Sequence, residues 1–410
     1  MTFSAIRALD GVLATLRPVL DILDGRVDDV EPPAWLVTRG WVGFLLALDD
    51  DELRRCEAHG LATRLPALPG APGDLVALAR DLTAVTRLPA LRVDLRAPPL
   101  PALRSVSARK REQLPALLGA VGAMAASASR IVDVGAGSGH FTRLAAEMFE
   151  RETVGIDRDA GRVAAASARA GERARFLTLD ACREPLDLAS DDLAVGLHAC
   201  GELGDRLVTA AARAGCDVAL VSCCLQKIAG TARAPLSRAA AGLSLRRDTL
   251  GLANLTAQPQ GVEASIDATI EGRLARYALL RLLRARGVEV APGEEMRGIN
   301  RRRARAGLGD LAQRALLLRG LLPASPAELG RHEDESRRRY ALIRRLSLPR
   351  SMLARLVEVA VVLDRAAALE ESGARVQVAT LCDRAVTPRN LALFASRAPE
   401  RLPPAEALTS

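Results

Sequence analysis

The sequence predicts an α/β protein: a mostly parallel sheet with helices on both faces, an N-terminal helical domain and a helical insertion. Three observations predict it. From residue 130 the chain repeats an apolar strand, a turn and a helical pattern, the rhythm that builds parallel sheets. A glycine-rich turn, "GAGSG" at 135–139, joins the first such strand to its helix. Two late strand patterns near the C-terminus, separated by the turn "RAVTP", have the form of an antiparallel hairpin that completes the same sheet.

The elements follow in order. Residues 1–102 form a helical N-terminal domain and linker. Ile6, Leu9, Leu13, Leu16, Leu20 and Leu23 recur at three- and four-residue spacing, the stripe of an amphipathic helix. "LPALRVDLRAPPLPA" at 88–102 is proline-rich and reads as a linker with room for one short strand. Residues 103–227 carry the first part of the sheet domain. Its strands are "RIVDVGA", "TVGIDRD", "ARFLTLDA", "DLAVGLHACG" and "CDVALVSCC". Residues 228–373 are mainly helical and arginine-rich, an insertion between the fifth and sixth strands. Residues 374–410 supply the last two strands, "ARVQVATLCD" and "RNLALFASR", and a tail.

Bulk properties narrow the class. The chain has 410 residues, 49% hydrophobic and 26% charged, a composition with ample core. No apolar run approaches the roughly 18 residues of a membrane helix, so no membrane partner is expected. The first residues, "MTFSAIRALDG", lack the basic and apolar regions of a secretory signal. Seven scattered cysteines do not form a disulfide framework, and together these features predict a cytoplasmic protein. The net charge of +8 is almost all arginine, since Lys110 and Lys227 are the only lysines.

The glycine turn selects a cofactor. It lacks the Gly-Lys-Ser/Thr of a phosphate-binding P-loop. His140 stands where a dinucleotide fingerprint needs a third small residue. What remains is Asp133-x-Gly135-x-Gly137-x-Gly139, an acid in the strand followed by alternating glycines. Asp157 ends the second strand and Asp180, followed by Ala181, ends the third. Each acid alone reads as a helix cap or a solvated loop residue. At three successive strand ends they form one pattern.

That pattern resembles motif I and its companions in class I S-adenosylmethionine-dependent methyltransferases, whose sheet is Rossmann-like. The resemblance implies S-adenosyl-L-methionine as cofactor. Asp133 would lie near the methionine ammonium, Asp157 on the ribose hydroxyls, and Asp180 with Ala181 at the adenine. His198 would stand near the methionine end. "LHACG" at 197–201 with "SCC" at 222–224 resembles one branch, the methyltransferase-like (25-type) proteins and the glutathione S-transferase C-terminal-domain-containing protein. "SARKREQ" at 107–113 and "DRAVTPRNLALFASR" at 383–397 resemble segments of the same branch, with Arg109 at one of its two lysine positions. A eukaryotic tRNA 2′-O-methyltransferase family carries a similar His-x-Cys-Gly after its fourth strand; its zinc-finger module has no counterpart in this sequence.

In this fold the methyl donor points to the ends of the fourth and fifth strands. His198, Cys200, Cys224 and Lys227 are therefore the candidate catalytic residues, His198 as base and Lys227 to orient a phosphate or hydroxyl. For the cysteines four readings stay open: packing, shaping of the pocket, a metal site, or a nucleophile. The last resembles the cytosine and uracil C5-methyltransferases, which attack the base with a thiolate. Without paired Cys-x-x-Cys spacing, no metal is expected. Lys227 reads equally well as a surface lysine.

The acceptor expected is RNA, tRNA-like, ahead of protein; no DNA is expected. Arginine runs at 273–286, 297–307 and 337–350 could hold phosphates, or they could be solvated helical faces paired with nearby acids. Lys110 is placed near phosphate or the cofactor carboxylate. A catalytically inactive binding module and a small-molecule methyltransferase are the alternatives.

Overall fold

The computed structural model describes residues 3–93, 108–257, 263–382 and 390–406. They divide into two compact units. One comprises residues 1–20, 81–258 and 353–410; the other comprises 21–80 and 259–352. These units cut the chain differently from the sequence boundaries. The first helix and residues 228–258 and 353–373 belong with the sheet. The reason is packing: the helix Ala354–Glu371 lies against the helix Ala5–Leu16 and against two strands of the sheet.

The sheet unit contains β1 (Arg130–Val134), β2 (Glu152–Asp157), β3 (Ala174–Thr178), β4 (Asp192–Ala199) and β5 (Asp217–Ser222). A short ribbon pairs β6 (Ala232–Arg233) with β7 (Leu245–Arg246). The late hairpin is β8 (Arg375–Thr380) and β9 (Leu391–Ser396). Strand order is β3-β2-β1-β4-β5-β9-β8. The first five run parallel, and β9 is antiparallel to both β5 and β8. This is the mostly parallel Rossmann-like sheet with a C-terminal antiparallel hairpin that the sequence predicts. The turn "RAVTP" lies outside the described residues.

Central strands are mostly apolar because both faces are covered. On one face Leu114, Leu117, Val121 and Met124 pack with Ile131, Val195, Val221 and Phe394. The helices Glu202–Ala214 and Ala354–Glu371 pack against each other and against the sheet. The second of these is buried on nearly every side, as its sequence "LVEVAVVLDRAAAL" requires. At the proline-rich linker, Ala90 bridges to Thr380 in the one short extended piece described.

The second unit is helical. Glu263–Ala285 packs with Leu308–Leu317 and Pro326–Met352 around Leu279, Leu282, Leu283 and Leu311. In the arginine runs 273–286 and 337–350 many side chains are paired with acids of the unit. Arg276 meets Glu295, Arg286 meets Glu328 and Arg344 meets Glu57. No helix among the described residues is long and apolar enough to cross a membrane.

Candidate functional site

Strand order reverses between β1 and β4, and ligands in open α/β sheets bind at the carboxyl ends beside such a reversal. The glycine turn leaves β1 at that place. Gly135, Gly137 and Gly139 all have left-handed φ, at 82°, 59° and 68°, which other residues adopt only with strain. Two of them also need their bareness. A Cβ at Gly139 would overlap the Phe176 ring, and one at Gly135 would sit 3.1 Å from Leu203. The Gly135 and Ala136 N–H groups both donate to the Ile156 carbonyl, which ties the turn to β2.

Asp157 stands at the end of β2, partly buried. Its Oδ2 accepts from the Gly137 N–H at 2.9 Å and its Oδ1 from the Asp159 N–H at 3.0 Å. A carboxylate has about four acceptor sites, so each oxygen keeps capacity for a further donor. A ribose diol offers two such donors, and Asp157 fits it. Asp180 is partly buried after β3, accepts from the Cys182 N–H at 3.1 Å, and precedes the buried Ala181. Asp133 is 2% exposed and accepts the Thr142 hydroxyl at 2.7 Å, which braces β1 against the helix His140–Phe149. The turn, Asp157 and Asp180 thus border one edge of the sheet and suit S-adenosylmethionine.

The second half of the site is built at the ends of β4 and β5. Ala199 pairs with Ser222, so Cys200 and Cys223 leave the sheet side by side. The register of β4 shifts between Leu197 and Ala199, an irregularity at His198. A disulfide joins Cys200 and Cys223, whose Cα atoms are 5.2 Å apart. The sulfurs of Cys200, Cys223 and Cys224 all lie within 4.8 Å of one another. Cysteine spacing did not announce this bond, because its partners are 23 residues apart and meet only through strand pairing. Lys227 is exposed. The side chains of His198 and Lys110 lie outside the described residues.

Gly201 fixes the turn after Cys200. Its φ is 51° and ψ −118°, and a Cβ there would overlap the Lys227 carbonyl oxygen. That oxygen accepts instead from the Glu202 N–H at 2.9 Å. Beneath the two strand ends lies a buried ion cluster. Arg365 is fully buried, and its three nitrogens donate to Asp205 Oδ1 at 2.8 Å, Ser222 Oγ at 2.8 Å and the Gly201 carbonyl at 2.7 Å. Arg233 bridges Asp205 at 2.9 Å and Asp364 at 2.8 Å. Asp364 in turn accepts from the Leu236 and Ser237 N–H groups and the Ser237 hydroxyl. Burial pushes the Asp205 carboxyl up, but the charges of Arg365 and Arg233 pull harder and hold it below the usual carboxylate range. Burial lowers the Arg365 value against the pull of Asp205.

The sequence reading missed this cluster. Arg365 sits in the block read as an arginine-rich insertion. The signal in the sequence was faint: Asp364 and Arg365 lie within the apolar run "VAVVLDRAAAL", and charged residues that are fully buried need partners. A separate cavity of about 510 Å³ opens beside His140, Arg143, Arg169 and Arg173, and none of Asp157, Asp180 or Cys200 lines it.

Residues 109–231 match the family model Methyltransf_32, described as a methyltransferase domain. The match spans β1 to β5 and includes the glycine turn, the three acids and both cysteine-bearing strand ends. It agrees with the turn on S-adenosylmethionine as the cofactor. Solved structures give local likenesses. One is a S-adenosylmethionine-dependent methyltransferase from Geobacter sulfurreducens in complex with S-adenosyl-L-homocysteine, at 24% identity over 27% of this chain and 47% of that one, TM-score 0.22. Another is DesVI from Streptomyces venezuelae, at 18% identity over 32% and 58%, TM-score 0.25. A third is a TehB-like methyltransferase from Corynebacterium glutamicum, at 18% identity over 26% and 60%, TM-score 0.23. This chain spans less than two thirds of each. No curated protein matches it.

Proposed function

We propose that the chain is a S-adenosylmethionine-dependent methyltransferase acting on a macromolecular acceptor, with RNA the first class to test and protein the second. The carrying observation is Asp157: it closes the glycine turn through Gly137 and keeps acceptor capacity where β2 ends. S-adenosylmethionine supplies the methyl group on a sulfonium, an electrophile ready for in-line displacement. The protein's own part is binding and placement. Asp157 accepts the ribose hydroxyls, Asp180 and Ala181 border the adenine, and the bare backbone of Gly135, Gly137 and Gly139 admits close approach. Asp133 stands near the methionine ammonium, and its bond from Thr142 holds the turn's first strand against its helix.

At the other strand ends His198 is the proposed base and Lys227 the residue that orients the acceptor. Cys200 and Cys224 border the transfer position. The support for RNA is the similarity of His198-x-Cys200-Gly201 to the tRNA enzymes. The arginine runs add little to it, because so many of their members are already paired with acids of the same unit.

Calorimetry with S-adenosylmethionine tests the reading. Micromolar binding to the wild type, weakened in Asp157→Ala, is expected. A folded protein that binds none would return the chain to the class of inactive binding modules. Labelled methyl donor with separate RNA and protein fractions then decides the acceptor; label in the protein fraction alone would remove the RNA assignment.

A further inference from the structure

Three sulfurs meet at the place where the transfer chemistry is proposed. Cys200 and Cys223 are bonded, and the Cys224 thiol lies within 4.8 Å of both. The surrounding structure sets these residues rigidly. Arg365 holds the Gly201 carbonyl directly after Cys200 and the Ser222 hydroxyl directly before Cys223. Arg365 thus ties the residue after Cys200 to the residue before Cys223 independently of the S–S bond. Cys200 and Cys224 are also partly open to solvent. The contrast with Cys56 and Cys216 is sharp: both are buried, and burial pushes each thiol up to about 12, which leaves them inert.

We propose that Cys200 and Cys223 form a reversible redox site that switches the methyl-transfer centre, with Cys224 as its exchange thiol. The oxidant class is a hydroperoxide. The Cys200 thiolate attacks the peroxide oxygen, giving a sulfenic acid and releasing one water. The Cys223 thiol then attacks that sulfur, forming the S–S bond and releasing a second water. Two thiols and one hydrogen peroxide thus give one disulfide and two waters. A dithiol reverses it, becoming a disulfide itself as it returns both thiols. Cys224 moves the bond without net redox change: its thiolate attacks Cys200 Sγ and releases the Cys223 thiolate. The bonded state consumes the Cys200 thiol and crosslinks the ends of β4 and β5. It leaves the glycine turn and Asp157 untouched, so cofactor binding persists while transfer falls.

The effect on transfer rests on the methyltransferase reading, whereas the thiol chemistry does not. The experiment separates them. The full chain is treated with hydrogen peroxide, then with dithiothreitol, and each state is examined by intact mass, peptide mapping, calorimetry with S-adenosylmethionine, and labelled methyl transfer. Expected are a loss of two hydrogens mapping to Cys200–Cys223, full return with the dithiol, unchanged cofactor affinity, and transfer lowered about tenfold or more in the oxidised state. In Cys223→Ser the peroxide should instead yield a Cys200–Cys224 bond.

Three results overturn the proposal. One is a Cys200–Cys223 bond that the dithiol cannot open in the folded protein, which would make it a permanent crosslink. Another is three thiols of the reduced protein masked from a thiol reagent until a chelator is added, which would make the cluster a metal site. The last is equal transfer in both states. Absent cofactor binding in the reduced protein would instead defeat the methyltransferase reading, and the mass data would still report on the thiols.

Discussion

Arginine does two different jobs in the two compact units. In the sheet unit, Arg365 and Arg233 are buried at 0% and 6% exposure and hold two aspartates, a serine hydroxyl and a backbone carbonyl beneath the ends of β4 and β5. In the helical unit, Arg281, Arg314 and Arg337 pair with acids at the surface. The residue type is the same and the consequences differ. Water screens a surface pair, which contributes about 0–1 kcal/mol. A buried charge has no water to fall back on, so removing its partner is far more costly. An arginine count therefore says little about anion binding, and burial decides which arginines shape the site.

The sharpest way to break the comparison is Arg365→Met. It strips the shared partner from Asp205, Ser222 and Gly201 and should destabilise the fold by about 3–5 kcal/mol, read by denaturant unfolding. A loss below about 1 kcal/mol would place Arg365 with the surface pairs. Asp157→Ala should shift the balance: a smaller loss in unfolding, about 1 kcal/mol for the two backbone N–H groups it leaves, but cofactor affinity lowered about tenfold to a hundredfold for one lost charged acceptor. Calorimetry beside the unfolding curve checks both halves.

Acid should discriminate next, by a smaller amount. Asp205 titrates below its ordinary value of 3.8 because Arg365 and Arg233 face it, outweighing the cost of its burial. A depressed folded value means its stabilisation is present above the unfolded value and lost as pH falls through the folded one. Unfolding free energy of the wild type should therefore drop as pH falls below about 4, the unfolded range of a carboxylate. The drop should be shallower in Arg365→Met. The smallest effect belongs to Arg337→Ala, whose partners Glu271 and Glu333 are about half exposed. It should shift stability by no more than about 0.5 kcal/mol and leave cofactor binding alone. A large loss in either measurement would contradict the surface assignment.

The fold was legible where local chemistry and periodicity agree. The five parallel strands, the glycine turn and the late hairpin all stand in the sheet as read. The unit boundaries were not legible, because membership is set by contacts across the chain. Residues 353–373 look like insertion by composition, yet their helix packs against β8 and β9. The site divided the same way. Asp157 sits where the pattern put it, since a strand end and its following turn are local. Asp133 also ends up near the turn, and its Oδ2 accepts the Thr142 hydroxyl.

By itself the sequence determined the parallel sheet, the left-handed glycine turn after β1 and the acids at the ends of β2 and β3. Each depends on residues within one strand–turn–helix segment, where sterics and hydrogen bonding leave few alternatives. Only the tertiary structure decided that Cys200 meets Cys223, that Arg365 is buried beneath them, and that so many of the other arginines are already paired. The first two outcomes join residues from 23 to 164 positions apart, and no local pattern encodes which distant side chain will fill a given space.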